Sequence, residues 1–310
     1  MRKRVIAITG GTGFIGKGIQ SKHLSLGDEV RVLSRKPHQD KLVRFFQGDL
    51  TNNSSKNIEI LKDFISGADI LYHCAAELTN QEKISFTNID GTDRLLSIVK
   101  NTSLRWMQLS SVGVYGPCRS EIINEKNRKF PRGEYEESKL QSDNLVKSSG
   151  FNYTILRPSI VFGDGMKNQS LNQMIRFIKY GLFFYIDRYS MVNYVHVDEV
   201  VRAFTDLSLS ESAINKEYIL SDCCSIYEMV ESISKGVNTS SPKKSISLKS
   251  AMALSKISKF IPFFPLTESR IKSMTSNCVY DSSLIIRDQG FKFKMELKDY
   301  LQNYAKSFEQ

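Results

Sequence analysis

The feature that most constrains the fold of this chain is an apolar run that leads into a glycine-rich turn and then into a helical pattern. Residues 5–9 (VIAIT) are almost continuously apolar, as expected of a strand buried on both faces of a parallel sheet. Glycines follow at positions 10, 13 and 16, and residues 14–26 predict a helix that Gly27 ends. This order predicts a strand–turn–helix unit at the start of the chain.

The alternation of strand and helix continues through the first half of the chain. Further strands are predicted at residues 29–33, 45–46, 68–74, 105–109 and 153–156, and further helices at residues 55–65, 84–100 and 135–149. Such alternation implies an α/β fold with a doubly wound parallel sheet and right-handed crossovers. Ligands of this fold bind at the carboxyl ends of the strands, so the residues that follow each strand are candidates for a binding site.

The glycine loop has the spacing of a dinucleotide-binding turn. Gly10 permits the tight turn, Gly13 lets the backbone approach a pyrophosphate, and Gly16 lets the helix pack close to the strand. The N-terminus of the helix adds free N–H groups and a partial positive charge. We therefore predict a dinucleotide site made by Gly10, Thr12, Gly13, Phe14, Ile15 and Gly16. A glycine-rich turn without a ligand is the alternative.

The end of the second predicted strand distinguishes NAD from NADP. An acidic residue there would bind the ribose hydroxyls of NAD, but this sequence has Ser34 and Arg35. A guanidinium can form a forked contact with a 2′-phosphate, and the serine hydroxyl can add a hydrogen bond. This favours NADP, with NAD and a merely exposed arginine as the alternatives.

A tyrosine and a lysine four residues apart open the helix that follows the fifth predicted strand. Tyr135 and Lys139 therefore lie on one face of that helix. A neighbouring ammonium stabilises a phenolate, so we expect Lys139 to lower the pKa of Tyr135 and make it an acid and base near neutral pH. Ser110 and Ser111 end the fifth strand, where a hydroxyl can donate to a carbonyl or alkoxide oxygen. Capping of the strand end is the alternative role for either serine.

Several motifs in the expected order make the chain similar to the extended short-chain dehydrogenases/reductases, oxidoreductases of the nucleotide-sugar epimerase/dehydratase kind. They are TGGTGFIG (9–16), GDL (48–50), HCAA (73–76), Asn88 with Gly91-Thr92, SSVGVYG (110–116), YEESK (135–139), LRPSIVFG (156–163) and VHVDEV (195–200). The resemblance implies a Rossmann NAD(P)-binding domain over residues 1–163, to which residues 193–222 return. It also implies a smaller C-terminal substrate-binding domain that takes most of residues 164–310.

The resemblance also implies roles for individual residues. Ser111 would be the catalytic serine, Tyr135 the acid/base, and Lys139 the residue that binds the nicotinamide ribose. The remaining implied contacts are Asp49 and Leu50 at the adenine, Ala75 and Ala76 along the cofactor path, and Pro158 at the nicotinamide amide. Asn88 is expected to be a structural residue that kinks a helix.

Departures from these relatives narrow the expected reaction. Val112 and Gly113 follow the serine, where dehydratases carry an Asp-Glu pair, decarboxylases a Glu and 3,5-epimerases a Cys at the second position. Neither residue can transfer a proton, which leaves redox chemistry at one carbon. We expect NADPH-dependent 4-keto reduction of a nucleotide-linked sugar. The alternatives are an NAD-dependent nucleotide-sugar 4-epimerase, a reductase of a small ketone or sterol-like substrate, and a non-catalytic dinucleotide sensor.

The second half of the chain offers less specific signals. The candidate residues for a nucleoside diphosphate, selected only because they are basic or amide residues there, are Asn168, Arg176, Arg188 and Arg270. Residues 251–266 are predicted to form a helix and loop over the substrate cleft, with an interfacial membrane segment as the alternative.

Composition limits the partners and the location. The net charge is +10, but the basic residues are dispersed, so we expect a phosphate-bearing substrate and not nucleic acid. The five cysteines lack metal-site spacing, so we expect no metal and free thiols in a reducing cytoplasm. No apolar run is long enough to cross a bilayer, so no integral membrane segment is expected. The resemblance also allows a homodimer.

Overall fold

A parallel sheet forms the centre of the chain, whose computed structural model describes residues 3–36, 41–99, 103–118, 121–166, 169–257 and 267–308. The strands are β1 (Val5–Thr9), β2 (Glu29–Ser34), β3 (Arg44–Gln47), β4 (Ile70–His73), β5 (Arg105–Leu109), β6 (Ile122–Ile123), β7 (Tyr153–Pro158), β8 (Ile160–Phe162), β9 (Met191–His196), β10 (Lys216–Leu220), β11 (Asp222–Ser225) and β12 (Val279–Tyr280). The α-helices are α1 (Phe14–Ser25), α2 (Ser55–Ile65), α3 (Gln81–Ser85), α4 (Gly91–Val99), α5 (Glu134–Ser148), α6 (Ser170–Lys179), α7 (Val197–Leu209), α8 (Ile226–Gly236), α9 (Leu248–Ile257), α10 (Glu268–Ser273), α11 (Ser283–Gln289) and α12 (Leu297–Lys306).

Seven strands pair in the order β10-β7-β5-β4-β1-β2-β3, and every pairing in this sheet is parallel. The strand order reverses between β1 and β4, where Thr9 pairs with His73. At such a switch point the connections leave toward opposite faces, which opens a crevice at the carboxyl ends of the strands. The predicted α/β fold with a doubly wound, Rossmann-like parallel sheet is confirmed.

Apolar side chains cover both faces of the central sheet. On one face, Ile19 of α1 and Phe204 of α7 pack against buried side chains of β1 and β2. On the other face, Phe64 of α2, Leu95 of α4 and Val146 of α5 pack around the same sheet. Because each strand is buried on both faces, its sequence is a continuous apolar run, which explains why β1 was recognisable without an alternating pattern.

The helix predicted at residues 84–100 differs in its detail. It is divided into α3, a π-helical turn at Phe86–Asp90 and α4. The side chain of Asn88, in the π-helical turn, accepts a hydrogen bond from the N–H of Glu77 at 2.7 Å and donates to the Glu77 carbonyl at 3.0 Å. It also donates to Ser138 Oγ of α5 at 2.9 Å. Asn88 therefore joins the loop after β4 to the helix that carries Tyr135.

A second core lies in the C-terminal half. Side chains of α6, α8 and α12, among them Ile175, Ile233 and Leu301, pack with residues of a three-stranded sheet in the order β11-β9-β8. The strand β10 returns to the central sheet beside β7. The smaller substrate-binding domain and its boundaries stay a prediction.

The cysteines correct one expectation. Cys118 and Cys278, 160 residues apart, form a disulfide with their Cα atoms 5.5 Å apart, so the expectation of free thiols is wrong for this pair. Sequence spacing could not reveal it, because the two residues meet only through the pairing of β6 with β12. The free cysteines within the described residues are Cys74, Cys223 and Cys224. None of the described helices is long and apolar enough to span a membrane.

Candidate active site

A cavity of about 840 Å³ opens at the carboxyl ends of the central strands. Every residue that the sequence assigned to the cofactor lines it, namely Gly10, Thr12, Gly13, Phe14, Ile15, Gly16, Ser34, Arg35, Asp49, Leu50, Ala75, Ala76, Lys139 and Pro158. Ser111 and Tyr135 line it too. Residues from the loops after β1 to β5, from the helices α1 and α5 and from the end of β7 thus share one cavity, as expected at the switch point of a doubly wound sheet.

The glycine loop has no room for side chains at two of its positions. Gly10 has a φ of +66°, and a Cβ there would lie 2.6 Å from the backbone nitrogen of Ala75. A Cβ at Gly16 would lie 2.3 Å from the carbonyl oxygen of Gly10. Both contacts are with backbone, so no side-chain rotation could relieve them. The close approach leaves the backbone of the loop exposed to the cavity.

The first turn of α1 is suited to bind an anion. The helix begins after Gly13, which lacks a side chain, and no side-chain hydrogen bond caps it. Its first N–H groups and the positive end of the helix dipole therefore lie at the cavity, with Lys17 also on the lining. This chemistry fits the pyrophosphate of a dinucleotide.

The end of β2 supplies positive charge to the same cavity. Arg35 and Lys36 are exposed, and Ser34 Oγ donates to the carbonyl of Lys36 at 2.8 Å. At the neighbouring strand end, Asn57 holds the loop of Asp49, accepting from the Asp49 N–H at 2.9 Å and donating to its carbonyl at 2.8 Å. The sequence analysis missed Asn57, a buried amide in the first turn of α2, because its contact with the Asp49 loop is visible only in the fold.

The two serines after β5 have different surroundings. Ser110 is buried, and its hydroxyl donates to Asp143 Oδ2 at 2.7 Å. Ser111 is half-buried, and its Oγ accepts from the N–H of Gly113 at 3.1 Å. The hydroxyl hydrogen of Ser111 is thus still available to a ligand in the cavity, whereas that of Ser110 is used within the protein.

Tyr135 and Lys139 lie one turn apart at the start of α5, and both line the cavity. Burial raises the pKa of Tyr135 above its usual range, and the carboxylates of Glu136 and Asp143 raise it further. The expectation that Lys139 lowers this pKa is therefore wrong for the chain by itself. The reason is that desolvation of a buried phenol disfavours its charged form. Burial likewise lowers the pKa of Lys139, while Asp143 opposes that effect.

Glu136 is a carboxylate that the sequence reasoning missed. Its Cγ lies 2.7 Å from the position of a Cβ on Gly113, and its Oε2 lies 2.4 Å from that of a Cβ on Gly133. The side chain thus occupies the space beside Gly113, although it is not among the described residues that line the cavity. The sequence could not show that Glu136 lies beside Gly113, because the two residues are 23 positions apart in the chain.

A buried polar network supports the cavity from behind. His73 forms hydrogen bonds through Nδ1 with Thr9 Oγ1 at 2.8 Å and through Nε2 with Thr92 Oγ1 at 2.9 Å. Thr92 in turn is bonded to Ser142 of α5 at 2.9 Å. Burial lowers the pKa of His73 to about 3, so the ring is neutral at ordinary pH. The network links β1, β4 and α4 to the helix that carries the catalytic candidates.

The candidates for a nucleoside diphosphate do not meet in this cavity. Arg188 is stacked on the ring of Tyr185 and donates to the Lys243 carbonyl at 2.6 Å. Arg270 donates to Gln173 Oε1 at 2.7 Å, and Arg176 is exposed on α6. None of these three lines the cavity as the described residues define it. Asn168 and residues 258–266 lie outside the described residues.

Comparison with known proteins agrees with this geometry. Residues 6–219 match the sequence model of the family described as the NAD dependent epimerase/dehydratase family. The chain is 25% identical over 167 residues to the 4-hydroxy-2-methyl-3-oxo-4-farnesyl-3,4-dihydroquinoline-1-oxide ketoreductase of Stigmatella aurantiaca, covering 50% of each chain. It is 35% identical over 128 residues to the sterol-4-alpha-carboxylate 3-dehydrogenase, decarboxylating, of Dictyostelium discoideum, covering 39% of this chain and 38% of that one. The chain thus spans half or less of the length of these curated relatives.

A solved structure shares the fold over the whole chain. The UDP-glucuronic acid 4-epimerase from Bacillus cereus in complex with NAD superposes with a TM-score of 0.74 at 18% identity, covering 99% of this chain and 100% of that one. The region matched by the family model contains both the glycine loop and the Tyr135–Lys139 pair. The chain therefore belongs to the NAD-dependent epimerase/dehydratase family.

Proposed function

We propose that the protein is an NADPH-dependent reductase that converts the 4-keto group of a nucleotide-linked sugar to an alcohol. The observation that carries the proposal is that Arg35, Ser111, Tyr135 and Lys139 line one cavity with the glycine loop. This shared lining supports a site in which Arg35 binds the 2′-phosphate at the adenosine end and Tyr135 is the acid at the other end.

The roles of the chain's own residues follow from their chemistry. Bound NADPH would supply the hydride that reduces the carbonyl carbon. The Tyr135 hydroxyl donates a proton to the oxygen, the Ser111 hydroxyl donates a hydrogen bond to it, and Lys139 binds the nicotinamide ribose. The first turn of α1 binds the pyrophosphate. The raised pKa of Tyr135 keeps the phenol protonated at neutral pH, so its hydroxyl has a proton to donate.

The proposal limits the chemistry to one carbon. Val112 and Gly113 provide no acid or base, and Glu136, which packs against Gly113, is not among the described residues that line the cavity. We therefore expect no elimination of water from neighbouring carbons. Incubation with nucleotide-linked glucose and NAD⁺ should yield no 4-keto-6-deoxy product by NMR, and the appearance of that product would refute this limit.

The first experiment measures binding. Thermal-shift titrations compare NADPH with NADH, and then add UDP, GDP or dTDP at saturating NADPH, because a ligand of the folded state raises the melting temperature. We expect NADPH and one nucleoside diphosphate to stabilise the protein. Stabilisation by hydrophobic ketones and by none of the diphosphates would refute the nucleotide-sugar substrate. That outcome would support a small ketone or sterol-like substrate. The names of two similar proteins, a quinoline-oxide ketoreductase and a sterol-carboxylate dehydrogenase, favour this alternative.

The second experiment measures turnover. Oxidation of NADPH is followed by absorbance with a nucleoside-diphosphate 4-keto-6-deoxyhexose, and the product is identified by NMR. The rival function is a nucleotide-sugar 4-epimerase, which the NAD complex of the similarly folded 4-epimerase supports. It predicts tightly bound NAD in the purified protein and conversion of UDP-glucose or UDP-glucuronic acid to its 4-epimer without added cofactor. Mass spectrometry of the co-purified nucleotide distinguishes the two functions.

A further inference from the structure

Asp143 is a fully buried carboxylate that joins the segments carrying the catalytic candidates. It lies on α5 one turn after Lys139. Its Oδ2 accepts a hydrogen bond from Ser110 Oγ at 2.7 Å and another from Arg157 Nη2 at 2.7 Å. Ser110 immediately precedes Ser111 on the cavity wall, and Arg157 immediately precedes Pro158. One carboxylate thus connects α5, the end of β5 and the end of β7.

Burial of the Asp143 carboxylate is unfavourable unless its negative charge is paired with a cation. The side chains of Asp143 and Arg157 are both 0% exposed. Arg157 also pairs with Glu217, so the guanidinium has a second anionic partner. Asp143 Oδ1 has no hydrogen-bond partner in the described part of the chain. Since removal of a carboxylate from water is unfavourable, an oxygen left unpaired needs an explanation beyond the Arg157 ion pair.

Lys139 is the next cation along α5, one turn before Asp143 and on the same face of the helix. Lys139 is itself only 3% exposed, and its neighbours on α5 are Tyr135 and Asp143. His73 ends β4, and Cys74 follows it in the chain. Burial lowers the pKa of His73 to about 3 and raises that of Cys74 to about 12, so both groups are neutral at ordinary pH.

The charged groups near Lys139 shift its pKa in opposite directions. Arg157 of β7 is a cation that disfavours the ammonium, and Tyr135 stays protonated. Among the described groups that shift the pKa of Lys139, Asp143 is the one carboxylate, and it raises that pKa.

We propose that Asp143 is a positioning residue that keeps the buried Lys139 protonated and holds the Ser110–Ser111 strand end in register with α5. The inference rests on the proposed cofactor role of Lys139. In this arrangement the carboxylate acts from behind the lysine, and Nζ stays free to donate hydrogen bonds to the ribose hydroxyls of a bound dinucleotide. Removal of the carboxylate charge lets the ammonium lose its proton at a lower pH, and the affinity that depends on the ammonium is lost as the pH rises.

The direct test measures the protonation of Lys139 without substrate or cofactor. Trace acetylation with acetic anhydride at a series of pH values, followed by peptide mass spectrometry, gives the midpoint at which Lys139 becomes reactive. In the wild-type protein we expect this midpoint to lie above pH 7, although Lys139 is buried. In Asp143→Asn, which keeps the shape and removes the charge, we expect the midpoint to fall by about one pKa unit or more.

A matched control separates this role from a structural one. Glu217→Gln also removes one of the two carboxylate partners of Arg157, but it is not among the groups that act on Lys139. We expect it to lower the melting temperature and leave the Lys139 midpoint unchanged. Asp143→Glu, which restores the charge, should recover most of the midpoint.

A second readout is NADPH affinity between pH 6 and pH 9. Asp143→Asn should match the wild type at pH 6 and bind several-fold more weakly at pH 9, whereas Glu217→Gln should follow the wild-type curve. Equal Lys139 midpoints in the wild type and Asp143→Asn, or equal shifts in Asp143→Asn and Glu217→Gln, would overturn the proposal. If Asp143→Asn does not fold, a Lys139 midpoint below pH 7 in the wild-type protein would overturn the proposal instead. Absence of NADPH binding in every protein would contradict the proposed function alone, since the acetylation result still decides the role of Asp143.

Discussion

Gly16→Ala tests whether the glycine loop is shaped for a dinucleotide. A Cβ at this position would lie 2.3 Å from the Gly10 carbonyl oxygen, 2.7 Å from Gly11 Cα and 2.9 Å from the Gly11 carbonyl oxygen. All three atoms belong to the backbone, so the loop must move by about 1 Å to restore ordinary contact distances. The Gly10 carbonyl also accepts the Gly13 N–H at 2.9 Å, so the displacement reaches the first turn of α1.

The expected magnitude is a balance of two effects. Replacement of a helical glycine by alanine stabilises a helix by about 1 kcal/mol. Overpacking of a tight contact costs about 1–3 kcal/mol. We therefore expect a net loss of up to about 2 kcal/mol in the free energy of unfolding. Because the N–H groups that bind phosphate are displaced, the Kd for NADPH should rise about tenfold or more, which corresponds to about 1.4 kcal/mol.

Urea unfolding measures the stability, and quenching of protein fluorescence by NADPH measures the affinity. Gly18→Ala is the matched control, since it lies on the same helix and its Cβ would contact the side chain of Val201 at 2.5 Å and no backbone atom. It should leave the NADPH affinity nearly unchanged. Wild-type affinity in Gly16→Ala, or an equal loss in Gly18→Ala, would refute the reasoning.

Three further predictions concern the same site. Tyr135→Phe should reduce turnover at least about a hundredfold with NADPH affinity retained, and near-normal turnover measured by NADPH oxidation would exclude Tyr135 as the acid. Arg35→Asp should weaken NADPH binding about tenfold and strengthen NADH binding; titrations that show an unchanged preference would make Arg35 an exposed residue without a cofactor role. Burial lowers the pKa of His73 from 6.5 to about 3, so the native state binds this proton at lower pH than the unfolded chain does. Stability should therefore fall as the pH drops below 6.5, by about 1.4 kcal/mol per unit from this residue. Urea unfolding at pH 7 and pH 5 should show a smaller loss in His73→Gln, and equal losses in both proteins would contradict this assignment.

The parts of the site that could be predicted are those that local sequence dictates. The strand–glycine–helix unit was recognisable because a buried parallel strand, a turn with positive φ and a helix N-terminus each require particular residues within a few positions. Tyr135 and Lys139 were paired by the geometry of one helix turn. The motif order then placed the loops after β1, β2, β4 and β5 at one edge, and the structure has all of these residues on one cavity.

The predictions that did not hold depend on contacts between distant residues. The Cys118–Cys278 disulfide joins two residues that are 160 positions apart in the chain. Arg188 is basic in the sequence, but the fold places it against Tyr185 and the Lys243 carbonyl. Its charge alone could not show this.

The sequence by itself determined the fold class, the glycine loop and the pairing of Tyr135 with Lys139, because each is encoded by short-range steric and helical rules. The choice of Ser111 came from the resemblance to the family. Only the tertiary structure decided how these residues are tuned. Burial raises the pKa of Tyr135 where spacing predicted a lower one, Glu136 occupies the space beside Gly113, and Asp143 binds both Ser110 and Arg157. The physical reason is that desolvation and Coulomb interactions depend on distance and burial in space, which the order of residues along the chain does not specify.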